Sequence, residues 1–152
     1  MPLLQPGEEL GEAGEEGRRA QAELVALGAE LGILIVGPNG QGVVSTPSQL
    51  CAQIVAPYPP AGRIGVASQS GNFVSSFLNW SCATGVGISR AVSCGNAAAT
   101  SVADFLRFFA DDDATDVALA YIEGVSDGPG VAAALTEVAA RQPTVVLKGG
   151  AT

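Results

Sequence analysis

Beyond Arg63, short apolar runs alternate with stretches whose apolar residues recur every three or four positions. Runs of four to six suit strands buried on both faces, and the spaced stretches suit amphipathic helices. The pattern predicts strands at Arg63–Ser68, Ile88–Ser93, Val117–Ile122 and Thr144–Leu147, with helices between them at Asn72–Ala83, Val102–Ala110 and Val131–Arg141. Repeated strand–helix units of this kind predict an α/β fold: a three-layer parallel sheet covered by helices on both faces.

The front of the chain reads differently. A Pro-, Gly- and Glu-rich opening suits a solvated lead-in. From about Glu15, Ala20, Leu24, Leu27 and Leu31 fall at helical spacing and Gly32 is placed to stop the helix. Ile33–Val36 then reads as a short buried strand. Through Ser45–Gly62 the period is lost, and Pro47, Pro57, Pro59 and Pro60 favour an extended connection. A boundary near Pro57 divides residues 1–57 from 58–152, and the front piece is expected to expose apolar surface.

Within the helices, Phe73, Phe77 and Trp80 beside Val74 and Leu78 form one expected core face. Val102, Phe105, Leu106 and Phe109 form another. Ser101 followed by Asp104 resembles a capping box.

Composition narrows the setting. The chain has 152 residues, 47% hydrophobic and 14% charged, with twenty glycines, enough for a buried core with close helix–sheet contact. Net charge is −8 and no segment gathers the basic residues, which argues against nucleic acid. No run reaches the roughly 18 apolar residues of a membrane span, and a cytoplasmic setting is expected. Cys51, Cys82 and Cys94 are scattered and expected to be reduced thiols. Histidine is absent, which removes Ser–His and Cys–His nucleophile pairs from this segment. No metal site is expected: Asp111–Asp116 has Asp116 and Ile122 where a calcium loop needs glycine and glutamate. A Walker-type phosphate loop is also missing.

In open parallel sheets, ligands sit outside the carboxyl ends of the strands. The loops SQSGN, CGNAAAT and EGVSDGP should therefore share one edge. Ser68 and Ser70 carry hydroxyls, Gly71 admits close approach, and a helix beginning at Asn72 offers unpaired N–H groups, a combination suited to phosphate. Serine before a helix equally suits a plain N-cap, so the residues alone leave both readings open. Glu123 ends its strand at the same edge, where a carboxylate is either solvated or orients a partner.

Taken in order, GPNGQG, GVASQSGNF, GVGISRAVSCGN, VADFLRFFADD, YIEGV and TVVLKGG resemble the NDP-forming acyl-CoA synthetases, relatives of the succinyl-CoA synthetase alpha subunit. The resemblance implies the tail of a Rossmann-type CoA-binding domain up to about Pro57, then a flavodoxin-like ligase domain. It implies an acid–CoA ligase that works through a phosphohistidine, with coenzyme A, an acyl-CoA or carboxylic acid substrate, and ATP/ADP with magnesium on an ATP-grasp domain or subunit. By position, Ser68, Ser70, Gly71 and Asn72 match the phosphate-holding helix start and Glu123 the histidine-orienting glutamate. Asn39 and Gly40 match the turn near the CoA thiol, and Gly95 and Asn96 a neighbouring loop. The phosphohistidine itself is expected beyond Thr152, so the chain is read as a fragment that does not turn over alone and that self-associates through exposed apolar surface. Rival readings are a CoA-sensing module of a protein acetyltransferase and an FMN-binding electron carrier. Against flavin, CGNAAAT and EGVSDGP offer no aromatic to flank the ring.

Overall fold

The computed structural model describes residues 14–125 and 127–149; the expected lead-in up to Ala13 lies outside them. Its elements are α1 (Gly14–Leu31), β1 (Gly42–Ser45), β2 (Leu50–Gln53), β3 (Ala61–Ser68), α2 (Gly71–Thr84), β4 (Ile88–Ser93), α3 (Val102–Asp111), β5 (Val117–Ile122), α4 (Gly128–Ala139) and β6 (Thr144–Lys148). The sheet runs β2-β1-β4-β3-β5-β6. From β4 to β6 it is parallel, as the strand–helix alternation requires.

Two features depart from the expected pattern. The stretch read as an extended connection contains a hairpin, β1–β2, and β1 pairs antiparallel with β4, so the sheet is mixed. Pro47 sits in the hairpin turn, where Gln49 N donates to Thr46 O at 3.2 Å. The second departure is Ile33–Val36, which is not a strand. Among the described residues no strand lies beside it. Ile33 N instead closes the end of α1 on Gly28 O (2.8 Å), and Leu34 is 75% exposed. A parallel strand needs a neighbour, which an apolar run does not by itself supply.

The core lies in two clusters. On one face, α2 sets Val74 and Leu78 over Val66, Ile88 and Ala91; on the other, α3 and α4 set Leu106, Phe109, Ala134 and Val138 over Ala67, Val92, Ala118 and Ala120. The inner stripe of α2 is Val74–Leu78–Ser81, so Trp80, expected in the core, is 47% exposed. Its ring extends an aromatic row from Tyr121 through Phe73 and Phe77, with centroids 4.9, 6.3 and 5.2 Å apart. The capping box on α3 forms as expected and contributes about 1 kcal/mol.

α1 turns Gly28 toward Ile35 and leaves Leu24, Leu27 and Leu31 exposed, the apolar surface expected of this segment. Of the aspartate run, Asp111 meets Arg141 and Asp116 takes both arms of Arg63 at the surface, while the largely buried Asp112 meets Arg90 at 3.2 Å. No helix among the described residues is long and apolar enough to cross a membrane.

Candidate functional site

The chain runs β3 to β4 in one direction along the sheet and then crosses back to β5 on the other side of β3. β3 and β5 therefore flank the point where the winding reverses, and loops leaving their carboxyl ends part to opposite faces and open a crevice. Ser68 is paired with Tyr121 across these strands. Ser70 and Glu123, each two residues further on, are thus brought to the same edge.

Ser70 caps α2: its backbone is extended (φ −88°, ψ 119°) and its Oγ accepts from Phe73 N at 3.3 Å. Val74 N donates to Ser70 O at 3.3 Å. Among the described residues nothing else takes up the N–H groups of Gly71 and Asn72, which stand at the positive end of the helix dipole. Ser68, grouped with Ser70 as a hydroxyl donor, is placed differently. It is fully buried, its Oγ donating to Ser70 O at 2.8 Å and accepting from Ser70 N at 3.0 Å. Its hydroxyl closes the turn that presents Ser70.

Gln69, passed over in the sequence, ties the two loops together. Its side-chain oxygen accepts from Glu123 N (2.6 Å) and Gly124 N (3.0 Å), its Nε2 donates to Gly124 O (3.0 Å), and its own N–H reaches Tyr121 O (3.1 Å). Lys148 Nζ donates to Glu123 O at 2.8 Å. The Glu123 backbone is held from both sides while its side chain stays exposed.

The GPNGQG turn lies against the loop after β4. Asn96 N donates to Pro38 O (2.9 Å), Ala98 N to Gly37 O (3.0 Å), and Asn39 Nδ2 to Asn96 Oδ1 (3.3 Å). Two glycines permit this contact. A Cβ on Gly40 would overlap Ser93 O; one on Gly95, which is left-handed at φ 54°, would overlap Pro38 O. Asn39, Gly40, Gly95 and Asn96 thus form one latch beside the crevice. Gln41, also passed over, crosses from this turn to α2, where its Oε1 accepts from Ser75 Oγ and its side chain lies 2.5 Å from where a Gly71 Cβ would stand. A flanking glutamine in SQS and GPNGQG was the only sequence trace of either bridge.

Cys94 follows β4 and is buried; burial pushes its thiol up to about 12, and the Ser68 backbone opposes that only in part. It stays a neutral thiol and is no nucleophile.

Residues 61–152 match the family model described as the succinyl-CoA ligase-like flavodoxin domain. Acetate–CoA ligase [ADP-forming] I of Archaeoglobus fulgidus is 44% identical over 139 residues, covering 91% of this chain and 20% of the relative. The alpha subunit of acetate–CoA ligase [ADP-forming] I of Pyrococcus furiosus is 37% identical over 150 residues, covering 99% of this chain and 32% of the relative. Among solved structures, a dinucleotide-forming acetyl-coenzyme A synthetase 1 of Ca. Korarchaeum cryptofilum, in complex with phosphate and ADP, superposes with a TM-score of 0.83 at 30% identity, over 90% of this chain and 30% of that one. The chain spans a fifth to a third of the length of these proteins.

Proposed function

Because the chain belongs to the succinyl-CoA ligase-like flavodoxin domain family, we propose that it is the part of an NDP-forming acid–CoA ligase that receives a phosphorylated histidine and sets it against the acyl group. The observation that carries this reading is the placing of the Ser70-capped helix start and Glu123 at one edge, at the winding reversal, joined by Gln69.

The chain contains no histidine, so the imidazole comes from elsewhere in the ligase. The N–H groups of Gly71 and Asn72, with the helix dipole behind them, hold the phosphoryl oxygens, and the Ser70 hydroxyl stands beside them. Ser68 shapes the turn without touching the ligand. Glu123 accepts the imidazole N–H, which fixes the ring and leaves its other nitrogen to carry the phosphoryl group. Pairing with that carboxylate also stabilises the positive charge the ring gains when phosphorylated.

Residues up to about Pro57 are read as the tail of a Rossmann-type CoA-binding domain, with Asn39 and Gly40 near the thiol end of coenzyme A. When bound, coenzyme A supplies the thiol that takes the acyl group. The donor set fits that end alone: the latch offers amides and backbone groups, and the bulk of coenzyme A belongs to other parts of the ligase. ATP or ADP with magnesium is assigned to an ATP-grasp domain or partner subunit, a division supported by the Pyrococcus relative being named as one subunit. The phosphate and ADP held by the Korarchaeum synthetase fit the same chemistry.

Titration of the 152-residue chain with inorganic phosphate tests this. Amide signals of Gly71, Asn72 and Phe73 should move first in the NMR spectrum. If they hold still while other signals shift, the phosphoryl site is elsewhere.

A further inference from the structure

The side chain of Gln41 lies across the first turn of α2. Its Oε1 accepts from Ser75 Oγ, and its Nε2 is 2.8 Å from where a Gly71 Cβ would stand. That puts the nitrogen within about 4.3 Å of Gly71 Cα. Because the oxygen is committed to Ser75, the amide N–H groups are turned toward the helix start, and among the described residues nothing accepts from them. Gln41 is half-buried and Asn72 exposed, so a ligand can reach this corner.

A second unsatisfied group lies beneath. In the sheet Ser93 stands between Ser68 and Gly42. Val66 and Ala91, two positions earlier on β3 and β4, pack under α2, so strand alternation turns Ser68 and Ser93 toward the same helix. Ser68 spends its hydroxyl on the Ser70 turn. Ser93 Oγ is fully buried and has no hydrogen-bond partner among the described residues. Buried hydroxyls are paired as a rule, with protein or with an ordered water, so this one marks a place for a further polar atom.

We propose that Gln41 is a further phosphoryl-binding residue: its Nε2 donates to an oxygen of the group held by the Gly71 and Asn72 N–H groups, and the Ser93 hydroxyl meets that group through one ordered water. The assignment rests on the phosphoryl site read above and adds to it a side-chain donor from the turn that carries Asn39 and Gly40. Adjacent residues of one turn then serve both the thiol end of coenzyme A and the phosphoryl group.

The test follows the 152-residue chain by NMR with three probes: inorganic phosphate, phosphoramidate, whose P–N bond stands in for a phosphorylated imidazole, and chloride at equal ionic strength. Phosphate and phosphoramidate should shift the Gln41 side-chain amide together with the Gly71 and Asn72 backbone signals, along one binding curve, and chloride should move neither. The tighter of the two curves tells a free phosphate from a phosphoryl group carried on nitrogen. Gln41→Met fills the same space without a donor and should weaken both responses about tenfold, the usual loss of a hydrogen bond to a charged group. Gln41→Lys supplies a donor but no acceptor for Ser75, and should recover the parent's affinity. Ser93→Ala should lower the urea midpoint, as loss of a water-bonded hydroxyl does; a raised midpoint would show a hydroxyl buried without a partner and overturn the water. A Gln41→Met titration equal to the parent's, or a Gln41→Lys titration as weak as that of Gln41→Met, would overturn the donor role while the helix-start site stands. The second of these results assigns Gln41 to bracing α2 through Ser75. Gly71, Asn72 and Gln41 all unmoved in the parent would overturn the phosphoryl site itself, and the proposal with it.

Discussion

The Gln69 side-chain oxygen accepts the backbone N–H of Glu123 at 2.6 Å, so the loop after β3 holds the loop after β5 directly. Gln69→Ala removes that bond and the two to Gly124, and each hydrogen bond lost costs about 1 kcal/mol. Hydrogen exchange at the Glu123 and Gly124 amides should quicken well beyond any global destabilisation. Gln69→Glu keeps the accepting oxygen and should restore most of the protection. Unchanged exchange in the alanine variant would remove Gln69 from this role.

Ser70 separates capping from ligand binding. Ser70→Ala should cost about 1 kcal/mol of stability, read by urea unfolding, because Phe73 N loses its acceptor. Ser70→Asp keeps a capping oxygen and adds negative charge at the dipole's positive end, so it should unfold at or above the parent's midpoint yet lose the phosphate response at Gly71 and Asn72. A phosphate titration of Ser70→Asp indistinguishable from the parent's would remove the anion from this helix start.

Gly95 and Gly71 should respond unequally to alanine. At Gly95 the backbone is left-handed and the new methyl meets a carbonyl of the opposing turn, so the cost should be about 2 kcal/mol or more, with the Asn39 and Asn96 signals displaced. At Gly71 the methyl meets the side chain of Gln41, which can swing away. Gly71→Ala should stay within about 1 kcal/mol of the parent and change chiefly the signals of Gln41 and Ser75.

Cys94 gives the pH dependence a sign. Its thiol keeps its proton in the folded chain up to about 12, whereas the unfolded chain releases it near 9.0. The folded-state value is raised, so the stability linked to this group is complete below 9.0 and is lost as pH rises toward 12. Cys94→Ala should flatten the alkaline fall in unfolding free energy. At neutral pH an alkylating reagent should label the exposed Cys51 and Cys82 in the native protein and reach Cys94 only on unfolding.

Much of this arrangement was legible in the residues. Val117–Ile122 matches β5 end to end because a strand inside a covered sheet leaves an uninterrupted apolar run, and Ile88–Ser93 matches β4 although Ser89 and Arg90 interrupt its apolar residues. The hairpin was hidden, since GVVS and LCAQ are too short to show alternation and Pro47 looked like a breaker though it lies in the turn. Ile33–Val36 failed in the opposite sense: its apolar run was visible, but the lack of a neighbour was not. For the site, strand order alone brings Ser70 and Glu123 to one edge, and the helix period marks Ser70 as a cap. Gln41 and Gln69 escaped notice because a glutamine's partners are chosen by the tertiary fold. The burial of the Ser68 hydroxyl was not legible, because it depends on the turn that the hydroxyl closes.

β3 is hydrogen-bonded on both sides, to β4 and to β5, and lies inside a six-stranded sheet. Prising Ser70 away from Glu123 would mean unzipping the middle of that sheet, the region slowest to open in folds of this kind. The gauge between the two groups is thus set by the stiffest seam of the molecule, and any adjustment falls to whatever enters the crevice.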